Sequence, residues 1–169
     1  TEDIGAISYK NLLAVADKIA GHIENRCLAF IVCKNSFESI AGYVGFQRAG
    51  VAIGLVDARI DDDLFLALLE SYRPKYVYMP KESQIDGITF ESVYSFENYV
   101  LFKSLKTMES VLHRDLNLLL TTSGSTGSPK FVRQSYKNIN SQVVALAEYL
   151  GITSDNRPIT TMPMSFTYG

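Results

Sequence analysis

What the sequence is short of narrows it first. It holds two cysteines and two histidines in 169 residues, too few and too scattered for a Cys/His metal site. Both cysteines lie in the apolar run Cys27-Leu28-Ala29-Phe30-Ile31-Val32-Cys33. If that run is a strand, its six steps separate them by ~20 Å. A disulfide tolerates only ~7 Å between α-carbons, so two reduced core thiols in a cytoplasmic protein is the simpler reading. There is no surplus of positive charge either: 16 Lys and Arg stand against 18 Asp and Glu, a net charge of −2. Such a balance argues against nucleic-acid binding, which needs Lys and Arg to neutralise phosphates. No stretch approaches the ~20 apolar residues that would span a bilayer. The start, Thr1-Glu2-Asp3-Ile4-Gly5, lacks the basic-then-apolar pattern of a secretory leader.

What is present reads as a globular domain: 47% of residues are apolar and 20% charged. Ser8 can cap a helix over about 9–25, with Leu12, Leu13, Ala16, Ile19, Ala20 and Ile23 on one face. The Cys27–Cys33 run follows as a buried strand. Asn35 with Glu38 three residues later resembles a capping box opening a second helix, which carries Phe37, Ile40, Ala41 and Val44 inward and stops at Gly50. Val51–Val56 and Tyr76–Met79 read as further strands. Between them Asp61, Asp62 and Asp63 open a helix that Pro74 ends. Strands that are apolar throughout, alternating with amphipathic helices, predict an α/β fold: a mostly parallel sheet flanked by helices. The stretch 80–110 has β-formers and aromatics without helical period, and is expected to form short strands and turns at a sheet edge. Its aromatics suit core packing better than a ligand pocket. The pattern resumes with a strand at Leu118–Leu120, another at Phe131–Gln134, and a helix capped by Ser135. That helix places Ile139, Val143, Leu146, Ala147 and Leu150 on one face and stops at Gly151. A last strand is expected at Ile159–Met162. The domain division expected from this pattern is 1–110 and 111–169.

Between two of these strands lies Thr121-Thr122-Ser123-Gly124-Ser125-Thr126-Gly127-Ser128-Pro129-Lys130. After the first threonine it offers five hydroxyls, two glycines and a terminal lysine. Glycines let successive backbone N–H groups turn toward one point and form an anion nest. Hydroxyls add donors, and Lys130 adds a compact cation suited to polyphosphate. From Thr121 to Lys137 there are three basic residues, Lys130, Arg133 and Lys137, and no acid. A Walker loop is excluded, because Gly124 and Gly127 are three apart and a strand, not a helix, follows Lys130. The dinucleotide fingerprint is absent as well. The segment reads as a phosphate loop strung between two strands.

Thr122-Ser123-Gly124-Ser125-Thr126-Gly127-Ser128-Pro129-Lys130 resembles the signature phosphate loop of adenylate-forming enzymes: acyl-CoA synthetases, peptide-synthetase adenylation domains and luciferases. Ile7-Ser8-Tyr9-Lys10-Asn11-Leu12 resembles that family's opening motif. Arg48-Ala49-Gly50-Val51-Ala52, running to Val56-Asp57, resembles its second. Met162-Pro163-Met164-Ser165-Phe166-Thr167-Tyr168-Gly169 resembles its fourth. The resemblance implies an N-terminal part of an AMP-forming acid–thiol ligase. It implies ATP and Mg²⁺ as cofactors, coenzyme A as co-substrate, and a small carboxylic acid as substrate. Thr122, Ser123, Gly124, Ser125, Thr126, Gly127 and Lys130 would bind nucleotide, with Lys130 catalytic and Thr126 approaching Mg²⁺ through the phosphates. Phe166, where many relatives have His, would line the acid pocket. The family's adenine, ribose and Mg²⁺ contacts and its late catalytic lysine belong to motifs after residue 169. The chain also begins at Thr1 rather than Met and stops just after an apolar-aromatic run, so it is expected to be a segment of a longer protein, inactive alone. The reading from another class is a noncatalytic nucleotide- or anion-binding module.

Other short matches do not hold together. His113-Arg114-Asp115-Leu116 spells the start of a kinase catalytic loop, but Leu120 stands where Asn should, and no Asp-Phe-Gly follows. Ser123 and Ser125 lack the Gly-x-Ser-x-Gly elbow of a hydrolase. Asp57 with Asp61, Asp62 and Asp63 hints at a metal, yet helix-start carboxylates account for the last three. His22 is expected on the exposed side of the first helix.

Overall fold

The computed structural model describes residues 6–83, 89–106, 111–121, 131–156 and 161–166. Seven strands form one sheet: β1 (Leu28–Cys33), β2 (Ala52–Asp57), β3 (Tyr76–Pro80), β4 (Phe90–Phe96), β5 (Tyr99–Ser104), β6 (Leu116–Thr121) and β7 (Phe131–Ser135). Their spatial order is β4-β5-β3-β1-β2-β6-β7. The centre, β3-β1-β2-β6, is parallel. Antiparallel partners close both sides, β5 and β4 beside β3 and β7 beside β6. The expected α/β architecture is therefore the observed one, and 80–110 does supply the edge hairpin.

Helices α1 (Tyr9–Ala20) and α2 (Phe37–Arg48) cover one face, and α3 (Asp62–Tyr72) the other. Alternation along β1 explains its unbroken apolarity. Ala29, Ile31 and Cys33 pack with Ile19, Ala41 and Phe46 of α1 and α2. Leu28, Phe30 and Val32 pack with Phe65 and Leu68 of α3. A strand buried on both faces has no polar side to show. Gly45 allows α1 and α2 to cross closely: a Cβ there would lie 2.8 Å from the Ala16 carbonyl oxygen. Tyr99 ties β5 to the end of β1. Its hydroxyl donates to the Val32 carbonyl (3.0 Å), accepts from the Lys34 N–H (3.1 Å) and lies 2.8 Å from Ser39 Oγ.

The structure departs from the local sequence signals at several places, and Leu13 and Ile40, expected on the inward faces of α1 and α2, are 43 and 42% exposed. α1 ends at Ala20, not near 25: beyond Gly21 the His22 and Ile23 N–H groups turn to the Ile19 and Ala20 carbonyls (3.2 and 3.0 Å) instead of continuing the α-helical ladder. The cap of α2 is Ser36, whose hydroxyl accepts from the Ser39 N–H, so Asn35 and Glu38 do not form a capping box. Of the expected apolar face of α4 (Tyr136–Leu150), Ile139 packs on the core, but Val143, Leu146 and Leu150 are 60, 55 and 63% exposed. Thr161 and Met162 lie outside any strand, Met162 in a bend, and Ile159 falls outside the described residues.

Candidate functional site at the carboxyl edge of the sheet

In a parallel α/β sheet the crevice outside the carboxyl ends of the strands is the natural ligand site, wherever neighbouring connections diverge. β2 and β6 meet that condition. The chain leaving β2 returns over β1 through α3 to β3, whereas the chain leaving β6 goes outward to β7. The register pairs Leu55 with Leu120, so Asp57, ending β2, lies just past the level of Thr121, ending β6.

Thr121 pairs directly with Phe131. The two residues that flank the segment 122–130 are thus held side by side at this edge. Phe131 is fixed from the α3 side, with ring centroids 5.6 Å from Phe30 and 4.9 Å from Tyr72. The expected nucleotide-binding residues Thr122, Ser123, Gly124, Ser125, Thr126, Gly127 and Lys130 lie outside the described residues.

Across the crevice the segment 161–166 docks on the ends of β1 and β2. Asn35, just beyond β1, donates from Nδ2 to the Met162 carbonyl (2.8 Å) and accepts at Oδ1 from the Met164 N–H (3.0 Å). The Ser165 hydroxyl donates to Asp57 Oδ2 (3.2 Å), and Ser165 is buried. Arg59 holds the same carboxylate: its backbone N–H (2.8 Å) and Nε (2.9 Å) donate to Oδ1, and a terminal nitrogen (2.9 Å) to Oδ2. The guanidinium, helped by Ser165, keeps the Asp57 carboxyl below its usual range against a smaller opposing effect of burial. Phe166 closes a turn through its N–H to Pro163 O (3.0 Å) and is 39% exposed, a side chain still available to a ligand.

The structure places the remaining sequence candidates elsewhere. His113, Arg114 and Asp115 are exposed just before β6, at the opposite edge from the crevice. Asp61 caps α3 by accepting from the Asp63 and Leu64 N–H groups (3.1 and 3.3 Å). His22 is exposed and stacks on Tyr94, with centroids 4.8 Å apart. Both thiols are free; burial pushes Cys27 up to about 11 and Cys33 up to about 12. Among the described residues no cluster of His, Cys, Asp and Glu could hold a metal, and no helix is long and apolar enough to cross a membrane. A surface groove of about 480 Å³ is lined by Leu66, Leu69, Arg73, Lys75, Phe90 and Lys106. It sits beside β3, β4 and β5, across the sheet from β6. Sequence reasoning missed Asn35 and Ser165, since neither finds its bonding partner nearby in sequence.

Comparison with known proteins agrees with this architecture. The sequence profile of the family described as AMP-binding enzyme matches residues 2–169. The D-alanine–D-alanyl carrier protein ligase of Streptococcus equi subsp. equi is 28% identical over 169 residues, covering 94% of this chain and 33% of the relative. Surfactin synthase subunit 2 of Bacillus subtilis is 23% identical over 175 residues, 96% of this chain and 5% of that protein. Among solved structures, apo MatB from Rhodopseudomonas palustris superposes with a TM-score of 0.76 at 21% identity, covering 96% of this chain and 36% of MatB. The o-succinylbenzoate CoA synthetase MenE of Bacillus subtilis, solved with its acyl-adenylate intermediate, gives 0.69 at 21% identity over 96% of this chain and 45% of its own. The chain thus spans about a third of the carrier protein ligase. With its profile matched from residue 2 to residue 169, the chain belongs to the AMP-binding enzyme family.

Proposed function

We propose that this chain is the amino-terminal part of an ATP-dependent carboxylate–AMP ligase. The observation that carries the reading is the family match over 2–169, together with a Ser/Thr/Gly-rich, lysine-ended segment whose ends are paired at the carboxyl edge of β6. The reaction would begin with attack of a substrate carboxylate on the α-phosphorus of ATP, releasing pyrophosphate and forming an acyl-adenylate. A thiol, coenzyme A being the first to test, would then displace AMP. By their names, a relative of this chain is a carrier protein ligase and a structural neighbour is a CoA synthetase.

The chain's own residues would act chiefly through electrostatics. In the first step negative charge grows on the departing pyrophosphate. N–H groups and hydroxyls of Thr122–Thr126 with Gly127, and the Lys130 ammonium, would stabilise it where water would have to reorganise. Thr126 would help hold a phosphate-bound Mg²⁺, which would supply charge neutralisation. The described residues suit a polyphosphate here, because the carboxylate ending β2 is held by Arg59 rather than left bare. Phe166 would form one wall for the acid. In this reading residues 1–110 and 111–169 belong to successive subdomains. The protein would work in the cytoplasm, where its two free thiols stay reduced. Residues 1–169 alone would bind phosphate weakly without adenylating, as no motif within them holds adenine or ribose.

The test is ATP–pyrophosphate exchange by the full-length protein with a panel of fatty, aryl and amino acids. Exchange dependent on one acid class is expected. Nucleotide binding without exchange on any acid would replace this reading with a noncatalytic nucleotide-binding module.

A further inference from the structure

Two side chains at the strand ends hold the segment 161–166. Its N-terminal half is recognised by Asn35, which reads the backbone at both Met162 and Met164 as a neighbouring strand would: it donates to one carbonyl and accepts from one N–H. Its C-terminal half is pinned by Ser165, buried and bonded to Asp57. Asp57 is itself immobilised by three donors from Arg59. Met164 packs on the core between these two points. The next residue after the second point is Phe166, which is 39% exposed.

We infer that Asn35 and Asp57 are positioning residues that clamp the segment 161–166 and thereby set the place of Phe166, the wall of the carboxylic-acid site. The inference rests on the ligase reading for what the wall contacts. The clamp holds the acid side of the crevice and not the strand pair that carries the phosphate loop, because Asn35 follows β1 and Asp57 ends β2 whereas Thr121 and Phe131 belong to β6 and β7. A loosened clamp should therefore weaken use of the acid and leave use of ATP alone. Attack on phosphorus is sensitive to position, and a displacement of about 1 Å costs on the order of a hundredfold.

Two readouts on the full-length protein test this. Asn35→Ala, Asn35→Asp and Ser165→Ala are compared with wild type by amide hydrogen exchange and by pyrophosphate-exchange kinetics. Exchange of the Met164 amide should speed up by about tenfold or more in Asn35→Ala while β1 and β2 stay protected. Asn35→Asp keeps the acceptor for that amide and should restore its protection in part. The KM for the acid should rise about ten- to a hundredfold, with the KM for ATP within about twofold of wild type. Unchanged exchange at Met164, or equal rises in both KM values, would overturn the clamp. Should Asn35→Ala fail to fold, Asn35→Asp and Ser165→Ala carry the same comparison. A wild-type protein inactive on every acid would overturn the ligase reading instead, and amide exchange would then judge the clamp alone.

Discussion

A methyl group added at Gly54 probes the packing beneath Phe131, the residue that follows the segment 122–130. Gly54 sits opposite Phe30 in the β1–β2 register. A Cβ there would lie 2.5 Å from Phe30 Cδ1 and 2.6 Å from Cε1. Carbon atoms prefer separations of ~3.5–4.0 Å, so the ring must retreat by about 1 Å. It has little room: Phe30 is fully buried, with Tyr72 and Phe131 centroids 6.2 and 5.6 Å away. Overpacking of this kind costs ~1–3 kcal/mol, and replacing glycine within a strand returns ~0.5–1 kcal/mol. The net expectation for Gly54→Ala is a loss of about 1–2 kcal/mol, or about 2–8 °C in Tm for a chain of this size. Phe131 is the first residue after the 122–130 segment, so the displaced ring also presses on the loop's exit. Denaturant titration of Gly54→Ala, Phe30→Leu and the double variant measures the coupling. The double variant should recover stability, with a coupling of ~0.5–3 kcal/mol. Gly21→Ala is the control: its Cβ would meet nothing closer than 3.4 Å, and it should be neutral or stabilising. Gly54→Ala as stable as wild type, or no relief from Phe30→Leu, would refute the packing argument.

Two further perturbations read other parts of the fold. Asn117 and Gln47 exchange reciprocal amide bonds of 2.7 and 3.0 Å between β6 and α2, and Asn117 is buried. Asn117→Ala should cost ~1–3 kcal/mol in chemical denaturation by stranding Gln47, and pairing it with Gln47→Leu should recover part of that loss; equal losses in single and double variants would contradict this. The thiols of Cys27 and Cys33, raised to about 11 and about 12, should react with a disulfide reagent at pH 8 at least about a hundredfold more slowly in the folded than in the denatured protein. A raised thiol pKa leaves less thiolate, so the contrast should persist until the pH nears those values. Rapid stoichiometric labelling of the folded protein would show instead that both thiols are accessible and ionise readily.

The parallel centre of the sheet was legible because Leu28–Cys33 and Ala52–Val56 are apolar at every position, the mark of strands covered on both faces. The segment between β6 and β7 stood out in the sequence because glycines, hydroxyls and a lysine crowd it, and its residues 122–130 lie outside the described ones. Asn35 was not legible. Its sequence neighbours, Ser36 and Glu38, spell a helix start, and Ser36 alone performs that task. The partners Asn35 does use are 127 and 129 residues away, a separation no local period reports. The apolar stripe of α4 was visible, but a stripe fixes which side is apolar and not whether anything covers it.

The most direct test of the ligase reading is the effect of Lys130→Ala on ATP–pyrophosphate exchange in the full-length protein, with its best carboxylic acid. If Lys130 stabilises charge on the departing pyrophosphate, exchange should fall by about 10²–10³-fold, the scale of removing one preorganised donor from a transition state. Exchange in Lys130→Ala within a few fold of wild type would contradict the role given to this loop.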